Sequence, residues 1–292
     1  MKNSVENNEQ IIKKVVKEVI CSDCNVEFRL MGGMSNYTYV ITIDNKKYTF
    51  RVPGKGAEHF TDREKEFEII GEIKPYDFQP APIYFDVETG YKIAPFVEGE
   101  PVSELSNKPT EAVAQLLKKL HSIPKFKYDY NPLERLEKYE SITETKDPVY
   151  LALKDKWLDI YEIVLKDAPL VAAHGDSQTS NFVVGNDRLY LLDWEFAGNN
   201  DPIYDIACYG NANFDHAKDL MEVYFENPGR EEYQRLYAWR MFQCLQWHNV
   251  AKYKHQIGLS EELAVDFSFF ASAYLDKAKG FFQDYLDLVE AK

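Results

Sequence analysis

The pattern of apolar and polar residues divides the chain into a strand-rich first third and a helix-rich remainder. Apolar residues recur at helical spacing from Ile11 to Ile20, which predicts a helix with one buried face. Between residues 28 and 54, apolar and polar residues alternate instead. This stretch predicts three strands, with a Gly-Gly turn after the first and a turn at Asp44-Asn45 after the second.

Further along the chain, the spacing predicts a helix from Asp62 to Ile73 and then a hairpin formed by the apolar runs at 83–85 and 91–96. From Thr110 onward helical spacing dominates, and Thr110 is a suitable cap residue for the first helix of this part. The predicted helices cover residues 110–121, 132–139 and 150–165. The pattern is therefore that of an α+β protein.

One further predicted hairpin has polar side chains at both of its ends. Its strands lie at 182–184 and 189–192, on either side of the turn residues 185–187. Asp and Asn are poor strand formers, so their presence around buried strands indicates a site. The polar residues before the first strand are His174, Asp176 and Asn181, and those after the second are Asp193 and Glu195.

The spacing of these residues is typical of the catalytic and metal-binding segments of kinases. In that order, Asp176 orients the attacking hydroxyl and accepts its proton. Asn181 and Asp193 bind Mg²⁺, which prefers few protein ligands together with substrate phosphates. His174 then has a structural role in the turn. The alternative interpretation is that HGD is an ordinary turn and that Asp193 only caps a strand end.

The segments HGDSQTSN and LLDWEFAG resemble the aminoglycoside phosphotransferase and choline/ethanolamine kinase superfamily, which shares the protein-kinase fold. Within it, Gln178 and the Glu195 of D-x-E are most similar to choline kinases. A protein kinase is a poorer match, because Trp194 and Glu195 stand where Phe-Gly would follow the metal-binding Asp. The resemblance implies a bilobal fold, with a nucleotide-binding lobe and hinge at 1–97 and a helical catalytic and substrate-binding lobe at 98–292.

The resemblance also assigns residues to the cofactors ATP and Mg²⁺. The loop MGGMSN is similar to the G-G-x-[ST]-N phosphate loop of the superfamily, although a Gly-Gly pair can also be a plain hairpin turn. Arg51 stands in for the strand lysine that binds phosphates, with Glu66 as its partner, and the hinge backbone contacts adenine. The predicted cofactor-binding residues are Gly32, Gly33, Ser35, Asn36, Arg51, Glu66, Pro95, Phe96, Val97 and Gln178.

The last third of the chain is rich in aromatic residues, which in most proteins belong to the core. Choline kinases bind their quaternary ammonium substrate there, among aromatic rings and the Glu of D-x-E. The resemblance also implies that Asp205 braces the catalytic turn through backbone hydrogen bonds. The implied substrate-binding residues are Asp176, Glu195, Phe196, Trp247, Trp239 and Tyr253.

Composition narrows the class of protein further. Of the 292 residues, 45% are hydrophobic and 28% charged, as in globular proteins that do not insert into membranes. The formal net charge of −14 argues against a nucleic-acid partner and is compatible with a cationic substrate. No signal core or membrane-length apolar run is present, so a cytoplasmic enzyme is predicted. Cys21 and Cys24 form a CxxC, but no second pair completes a zinc site, and four cysteines in a chain of this length favour reduced thiols over disulfides.

Together these observations predict a choline kinase that transfers the γ-phosphate of ATP to the choline hydroxyl, with ethanolamine as the next substrate. An aminoglycoside or other small-molecule kinase is an alternative, and a nucleotide-binding pseudokinase scaffold is an alternative from a different class. Gln178 and the Trp194-Glu195 pair favour choline. The presence of Asp176, Asn181 and Asp193 argues against a pseudokinase.

Overall fold

The computed structural model describes residues 2–30, 36–143 and 147–291. The chain forms two compact units, Met1–Gly99 and Glu100–Lys292. The first unit contains the large antiparallel sheet and the second contains most of the helices. This is the α+β, kinase-like organisation that the sequence predicts. The predicted boundary lies between residues 97 and 98.

The first unit is a five-stranded antiparallel sheet with a helix on each face. Strand order is β1-β2-β3-β5-β4, and each pair of neighbours is antiparallel. The two tight-turn residues Asp44 and Asn45 both have positive φ, 48° and 61°, as a two-residue hairpin requires. The elements are α1 (Lys2–Ile20), β1 (Cys24–Arg29), β2 (Asn36–Ile43), β3 (Lys46–Pro53), α2 (Arg63–Ile73), β4 (Tyr84–Phe85) and β5 (Lys92–Pro95).

Strand alternation separates two environments in this sheet. Phe50 and Val52 of β3 and Ile93 of β5 belong to the apolar core beneath α1, together with Val16 of that helix. The residue between the first two, Arg51, points to the opposite face, because successive side chains alternate across a strand. There it meets α2.

The helix starts show where the predicted boundaries were right and where they were wrong. The side chain of Asp62 caps α2 by accepting a hydrogen bond from Lys65 N at 3.1 Å, so the predicted start is confirmed. The cap predicted at Thr110 is wrong: Pro109 is the N-cap of the next helix and no side chain caps it. Helix α1 begins at Lys2, well before Ile11, because the polar residues of its first half give no apolar periodicity.

The second unit is mainly helical. Two small sheets accompany the helices, an antiparallel β7–β10 pair and a three-stranded sheet of order β6-β8-β9. The elements are β6 (Gly99–Pro101), α3 (Thr110–His121), α4 (Pro132–Thr143), α5 (Pro148–Ile160), β7 (Val171–Ala173), β8 (Phe182–Gly185), β9 (Leu189–Leu191), β10 (Gly198–Asn200), α6 (Pro202–Tyr209), α7 (Phe214–Phe225), α8 (Arg230–Gln256), α9 (Leu259–Leu263) and α10 (Phe267–Glu290).

The long helix α8 is the centre of this unit, and α4, α5, α6 and α10 all pack against it. Between Ala238 and Ala251 every residue of α8 is buried except Trp247. The helix predicted at 150–165 starts earlier, at Pro148, and ends in a π-helical turn at Tyr161–Leu165. All four cysteines are free thiols. Within the described ranges, no helix combines the length and apolar character needed to cross a membrane.

Candidate active site

The HGD turn can form only with glycine at its centre. Gly175 has a φ of 79°, and a Cβ atom built on it would lie 2.2 Å from the carbonyl oxygen of Phe196. The close approach follows from the pairing of β7 with β10, in which Ala173 lies opposite Gly198. Any side chain at this position would clash with backbone, and the positive φ would add strain. The turn therefore brings Asp176 beside the Glu195-Phe196 segment.

Asp205 of α6 stabilises this turn through the backbone hydrogen bonds that the family resemblance implies. Its carboxylate accepts hydrogen bonds from the backbone N–H of His174 at 2.8 Å and of Gly175 at 2.9 Å. The Nε2 of His121 lies 3.0 Å from the same carboxylate. Burial alone would raise the pKa of Asp205, but the hydrogen bond and charge of His121 outweigh it and lower the pKa. His121, at the end of α3, is thus a second support that sequence reasoning missed.

His174 connects the turn to the end of β9. Its Nδ1 accepts a hydrogen bond from the backbone N–H of Asp176 at 3.2 Å, so the ring proton lies on Nε2, which donates to Leu192 O at 3.0 Å. Burial lowers the pKa of His174, which keeps the imidazole neutral. Its predicted structural role agrees with these contacts.

Two carboxamides fix the side chain of Asp176. Asn181 Nδ2 donates to Asp176 Oδ2 at 3.1 Å and to its backbone oxygen at 2.7 Å, and Gln178 Nε2 donates to the same Oδ2 at 3.1 Å. Gln178 is fixed in turn by Asn211, which donates to its amide oxygen at 3.2 Å. Within the described part of the chain, no donor contacts Oδ1 of Asp176, so this oxygen can accept a hydrogen bond from a substrate hydroxyl.

The hairpin places Asp193 close to Asn181. The backbone N–H of Leu192 donates to Asn181 O at 2.8 Å, which closes the base of the β8–β9 hairpin. Asp193 follows with a φ of 68°, a left-handed conformation that is strained for a residue with a side chain. Burial, followed by the nearby carboxylates of Asp193 and Glu195, raises the pKa of Asp176 well above its ordinary value. Like charges gathered in this way favour a bound cation.

The donor set fits Mg²⁺ rather than a soft metal. Asn181 and Asp193 offer oxygen ligands, and both side chains are partly exposed. Among the described residues, no group of three or more His, Cys, Asp or Glu side chains could hold a metal ion by itself. A metal bound here would therefore complete its coordination with water and phosphate oxygens, as Mg²⁺ does in phosphoryl-transfer sites.

On the side of the predicted acceptor, Phe196 and Trp247 form an aromatic corner. Their ring centroids are 6.2 Å apart and their planes are nearly perpendicular, at 81°. Two cationic side chains, those of Arg135 and Lys254, lie near this corner or its neighbour Glu195. The guanidinium of Arg135 lies 5.5 Å from the centre of the Phe196 ring. Burial lowers the pKa of Lys254 to about 8, and the neighbouring Glu195 carboxylate only partly opposes that effect.

The other two predicted substrate residues, Trp239 and Tyr253, occupy different positions on α8 from Trp247. Trp239 is 2% exposed, and its indole N–H donates to Asp201 Oδ2 at 2.9 Å, so the predicted substrate contact is wrong and Trp239 is a core residue. Tyr253 lies about 120° around α8 from Trp247, on another face of the helix. Lys254, seven residues after Trp247, lies on the same face.

In the first unit, the predicted pair of Arg51 and Glu66 forms and includes a third member. Glu66 accepts from Arg51 at 2.7 and 2.8 Å and from Lys92 at 2.7 Å. Burial would raise the pKa of Glu66, but Lys92 and Arg51 lower it to about 2. Arg51 and Lys92 are directly opposite each other on β3 and β5, and Glu66 relieves the repulsion between them. The pairing of Arg51 with Lys92 between β3 and β5 is the signal that could have identified Lys92 as the third member of this cluster.

The other predicted nucleotide residues fall into two groups. Gly32, Gly33 and Ser35 lie outside the described residues, and Asn36 begins β2. Pro95 ends β5, and the following N–H of Phe96 donates to Lys47 O at 3.1 Å. The Phe96 amide is therefore already engaged, which leaves the predicted adenine contact to the other backbone groups of the segment that ends at Val97.

Comparison with known proteins gives consistent results. The phosphotransferase enzyme family matches residues 29–240. Protein LicA of Haemophilus influenzae is 25% identical over 256 residues, which cover 80% of this chain and 75% of LicA. Thiamine kinase of Escherichia coli O1:K1 is 23% identical over 198 residues, 66% of this chain and 69% of that protein. The crystal structure of choline kinase LicA from Streptococcus pneumoniae superposes with a TM-score of 0.79 at 23% identity, covering 95% of this chain and 99% of the other. The predicted fold is thereby confirmed.

Proposed function

The chain belongs to the phosphotransferase enzyme family, and from that membership we propose that it transfers the γ-phosphate of ATP to the hydroxyl of choline. The observation that carries this proposal is that Asn181 donates to Asp176 at one end of the β8–β9 hairpin, while Asp193 follows Leu192, whose backbone N–H donates to Asn181 at the base of the same hairpin. These are the residue types that phosphoryl transfer requires: one carboxylate for the attacking hydroxyl, and two oxygen ligands for the metal.

In the proposed reaction, Asp176 binds the acceptor hydroxyl through Oδ1, while Asn181 and Gln178 hold Oδ2. Its raised pKa makes the carboxylate a better proton acceptor as the hydroxyl attacks. Mg²⁺ on Asn181 and Asp193 would neutralise phosphate charge during transfer. Most of the rate acceleration would come from orienting the reacting groups, because the transferred phosphoryl group needs little covalent assistance.

The first unit is proposed to bind ATP. Glu66 supplies one negative charge to the two cations Arg51 and Lys92, so this buried cluster carries an excess positive charge that favours phosphate. Gly32, Gly33, Ser35 and Asn36 are retained as the proposed phosphate loop, and residues 95–97 as the proposed adenine contact. We propose that the reaction takes place in the cytoplasm, where ATP is available.

Choline is proposed as the acceptor because LicA of Streptococcus pneumoniae is described as a choline kinase, and because the aromatic corner of Phe196 and Trp247 suits a quaternary ammonium. Trp247 is the partly exposed member of the buried stretch of α8, so its ring can be reached by a ligand. Ethanolamine is the second choice, since it offers the same hydroxyl with a smaller cation.

Thiamine is a further candidate acceptor, because a thiamine kinase is among the relatives and thiamine also carries a hydroxyl and a cationic ring. Aminoglycosides are cationic alcohols as well. A pseudokinase scaffold is disfavoured because Asp176, Asn181 and Asp193 are all present and brought together.

The test is ADP release with Mg²⁺ and ATP in the presence of choline, ethanolamine, thiamine or an aminoglycoside. We expect the highest kcat/KM with choline. Asp176→Asn should reduce turnover by about 10³-fold or more while ATP binding by calorimetry is retained, because Asn cannot accept the proton. Asp187→Asn, the same change at an exposed turn residue of the hairpin, is the matched control and should leave turnover unchanged.

Turnover with only thiamine or only an aminoglycoside would show that this compound, and not choline, is the acceptor. Absence of both turnover and ATP binding would refute the proposal of an enzyme. Equal activity of the Asp176→Asn variant and the wild type would refute the role of Asp176.

A further inference from the structure

Among the residues that the structure describes, Arg135 of α4 has no anionic partner. Within residues 2–30, 36–143 and 147–291 its guanidinium forms no ion pair with a carboxylate, and its Nε is buried without a hydrogen-bond partner. Its Nη1 donates to the phenol oxygen of Tyr139 at 3.0 Å. A buried guanidinium that is satisfied only by neutral groups is costly, so such a residue is expected where a ligand supplies the anion.

The surroundings of Arg135 place it beside the catalytic turn. The guanidinium lies 4.1 Å from the centre of the Tyr130 ring. The same ring would come within 3.3 Å of a Cβ atom at Gly175, the residue before Asp176. Arg135 is therefore separated from the HGD turn by one aromatic ring.

A second line of contacts leads to the same place. Tyr139, which accepts the hydrogen bond from Arg135, has its pKa raised by burial and also, more weakly, by the carboxylates of Glu195 and Asp176. The guanidinium also lies 5.5 Å from the ring of Phe196, in the aromatic corner proposed for the acceptor. Arg135 is thus connected through Tyr139 to the region of the Glu195 and Asp176 carboxylates, and it lies beside the Phe196 ring of the aromatic corner.

We propose that Arg135 binds the phosphate group that the acceptor receives, so that the site recognises the phosphate ester product. The inference rests on the proposed function, because the phosphate appears on the hydroxyl held by Asp176. A choline molecule carries no anion, and a guanidinium near its cation gives it no electrostatic gain. After transfer, the same molecule carries a phosphate whose oxygens can accept charge-assisted hydrogen bonds from Arg135.

This role differs from that of the aromatic corner. The rings of Phe196 and Trp247 contact the ammonium before and after transfer, and so they bind substrate and product alike. Arg135 distinguishes them, because of these two ligands only the product carries a phosphate that can be its partner. It also gives a reason why a cation is retained in a pocket proposed for a cationic substrate.

The experiment compares choline and phosphocholine as ligands of the full-length protein. The variants are Arg135→Met, Arg135→Lys and the control Lys138→Met, which removes a positive charge from an exposed position of the same helix. The measured quantities are the KM for choline and the inhibition constant of phosphocholine, with thermal melting as the check on folding.

For Arg135→Met we expect the phosphocholine inhibition constant to rise on the order of 10- to 100-fold, the effect of losing a hydrogen bond to a charged group, while the choline KM changes less than about threefold. Arg135→Lys should recover part of the loss because it keeps the charge. Lys138→Met should change neither quantity. An unchanged inhibition constant, or an equal weakening of choline and phosphocholine, would overturn the proposal, since Arg135 would then only shape the aromatic walls.

Calorimetry with inorganic phosphate separates this proposal from the proposed function. The proposal predicts weaker phosphate binding by Arg135→Met than by the wild type, whether or not choline is phosphorylated. Equal phosphate binding by the two proteins would refute it, and lack of choline turnover alone would refute only the choice of acceptor.

Discussion

Replacing Glu66 with glutamine should destabilise the first unit in a way that depends on pH. The Glu66 side chain is fully buried and accepts hydrogen bonds from Arg51 and Lys92 at 2.7–2.8 Å. Burial alone would raise its pKa, but Lys92 and Arg51 lower it from 4.5 to about 2. The ionised carboxylate is therefore stabilised by folding, and a neutral amide in its place would leave two buried cations facing each other across β3 and β5.

The difference between these pKa values corresponds to about 3 kcal/mol of stability at neutral pH. Because the folded pKa is the lower one, this contribution is fully present above pH 4.5 and is lost as the pH falls toward 2. At pH 3.5 about 1 kcal/mol of it is already lost, since the unfolded carboxylate is then mostly protonated. Glu66→Gln should thus cost about 3 kcal/mol or more in unfolding free energy at pH 7, and the difference from the wild type should narrow by about 1 kcal/mol at pH 3.5.

Hydrogen exchange of β2 and β3 is the appropriate assay. All four tryptophans, Trp157, Trp194, Trp239 and Trp247, belong to the second unit, so tryptophan fluorescence would not report on the first. Protection factors for residues 36–53 give the opening free energy of the sheet directly. Glu64→Gln, the same change at an exposed position of α2, is the matched control and should have little effect at either pH. A loss that is the same at pH 7 and pH 3.5, or no larger than in the control, would refute the electrostatic argument.

Two further predictions concern the acceptor side. Trp247→Ala should raise the choline KM about tenfold with little loss of stability. Trp239→Ala should instead lower the free energy of unfolding in urea by about 3–5 kcal/mol, because its ring fills the core. A similar increase in choline KM in both variants would contradict the assignment of Trp247 to the acceptor site and Trp239 to the core. With its pKa lowered to about 8, Lys254 should lose its proton between pH 7 and 9. The Glu195 carboxylate is then less neutralised, so the choline KM should fall as the pH rises. If the choline KM of Lys254→Met falls in the same way over this pH range, Lys254 is not the group responsible.

Much of the fold could be predicted because local signals and tertiary structure agree. The Asp44-Asn45 turn and the strand alternation specify the β2–β3 hairpin, and the one-sided apolar spacing of α3 specifies that helix to within its observed bounds. The short strands β7 and β10 gave no such signal. The sequence of β10 is Gly-Asn-Asn, which disfavours a strand, and only its pairing with β7 makes it one.

Helix α8 shows why the acceptor residues were harder to predict. It is buried on almost every side, so its apolar residues show no single face, and Trp239 and Trp247 look equivalent in the sequence. Their contacts distinguish them. The indole N–H of Trp239 donates to Asp201 in the core, whereas Trp247 packs against Phe196 and is partly exposed to solvent. Those partners come from distant parts of the chain, and one sequence contains no record of that proximity.

The cations that sequence reasoning missed change the electrostatic argument for the substrate. A net charge of −14 is compatible with a cationic acceptor, but that charge is spread over the whole chain. Around the catalytic turn, Lys254 neighbours the Glu195 carboxylate and Arg135 lies one aromatic ring away from the HGD turn, so the acceptor side carries positive as well as negative charge. Selection of a quaternary ammonium therefore has to come from the ring faces of the aromatic corner, whose attraction for a cation survives without net charge.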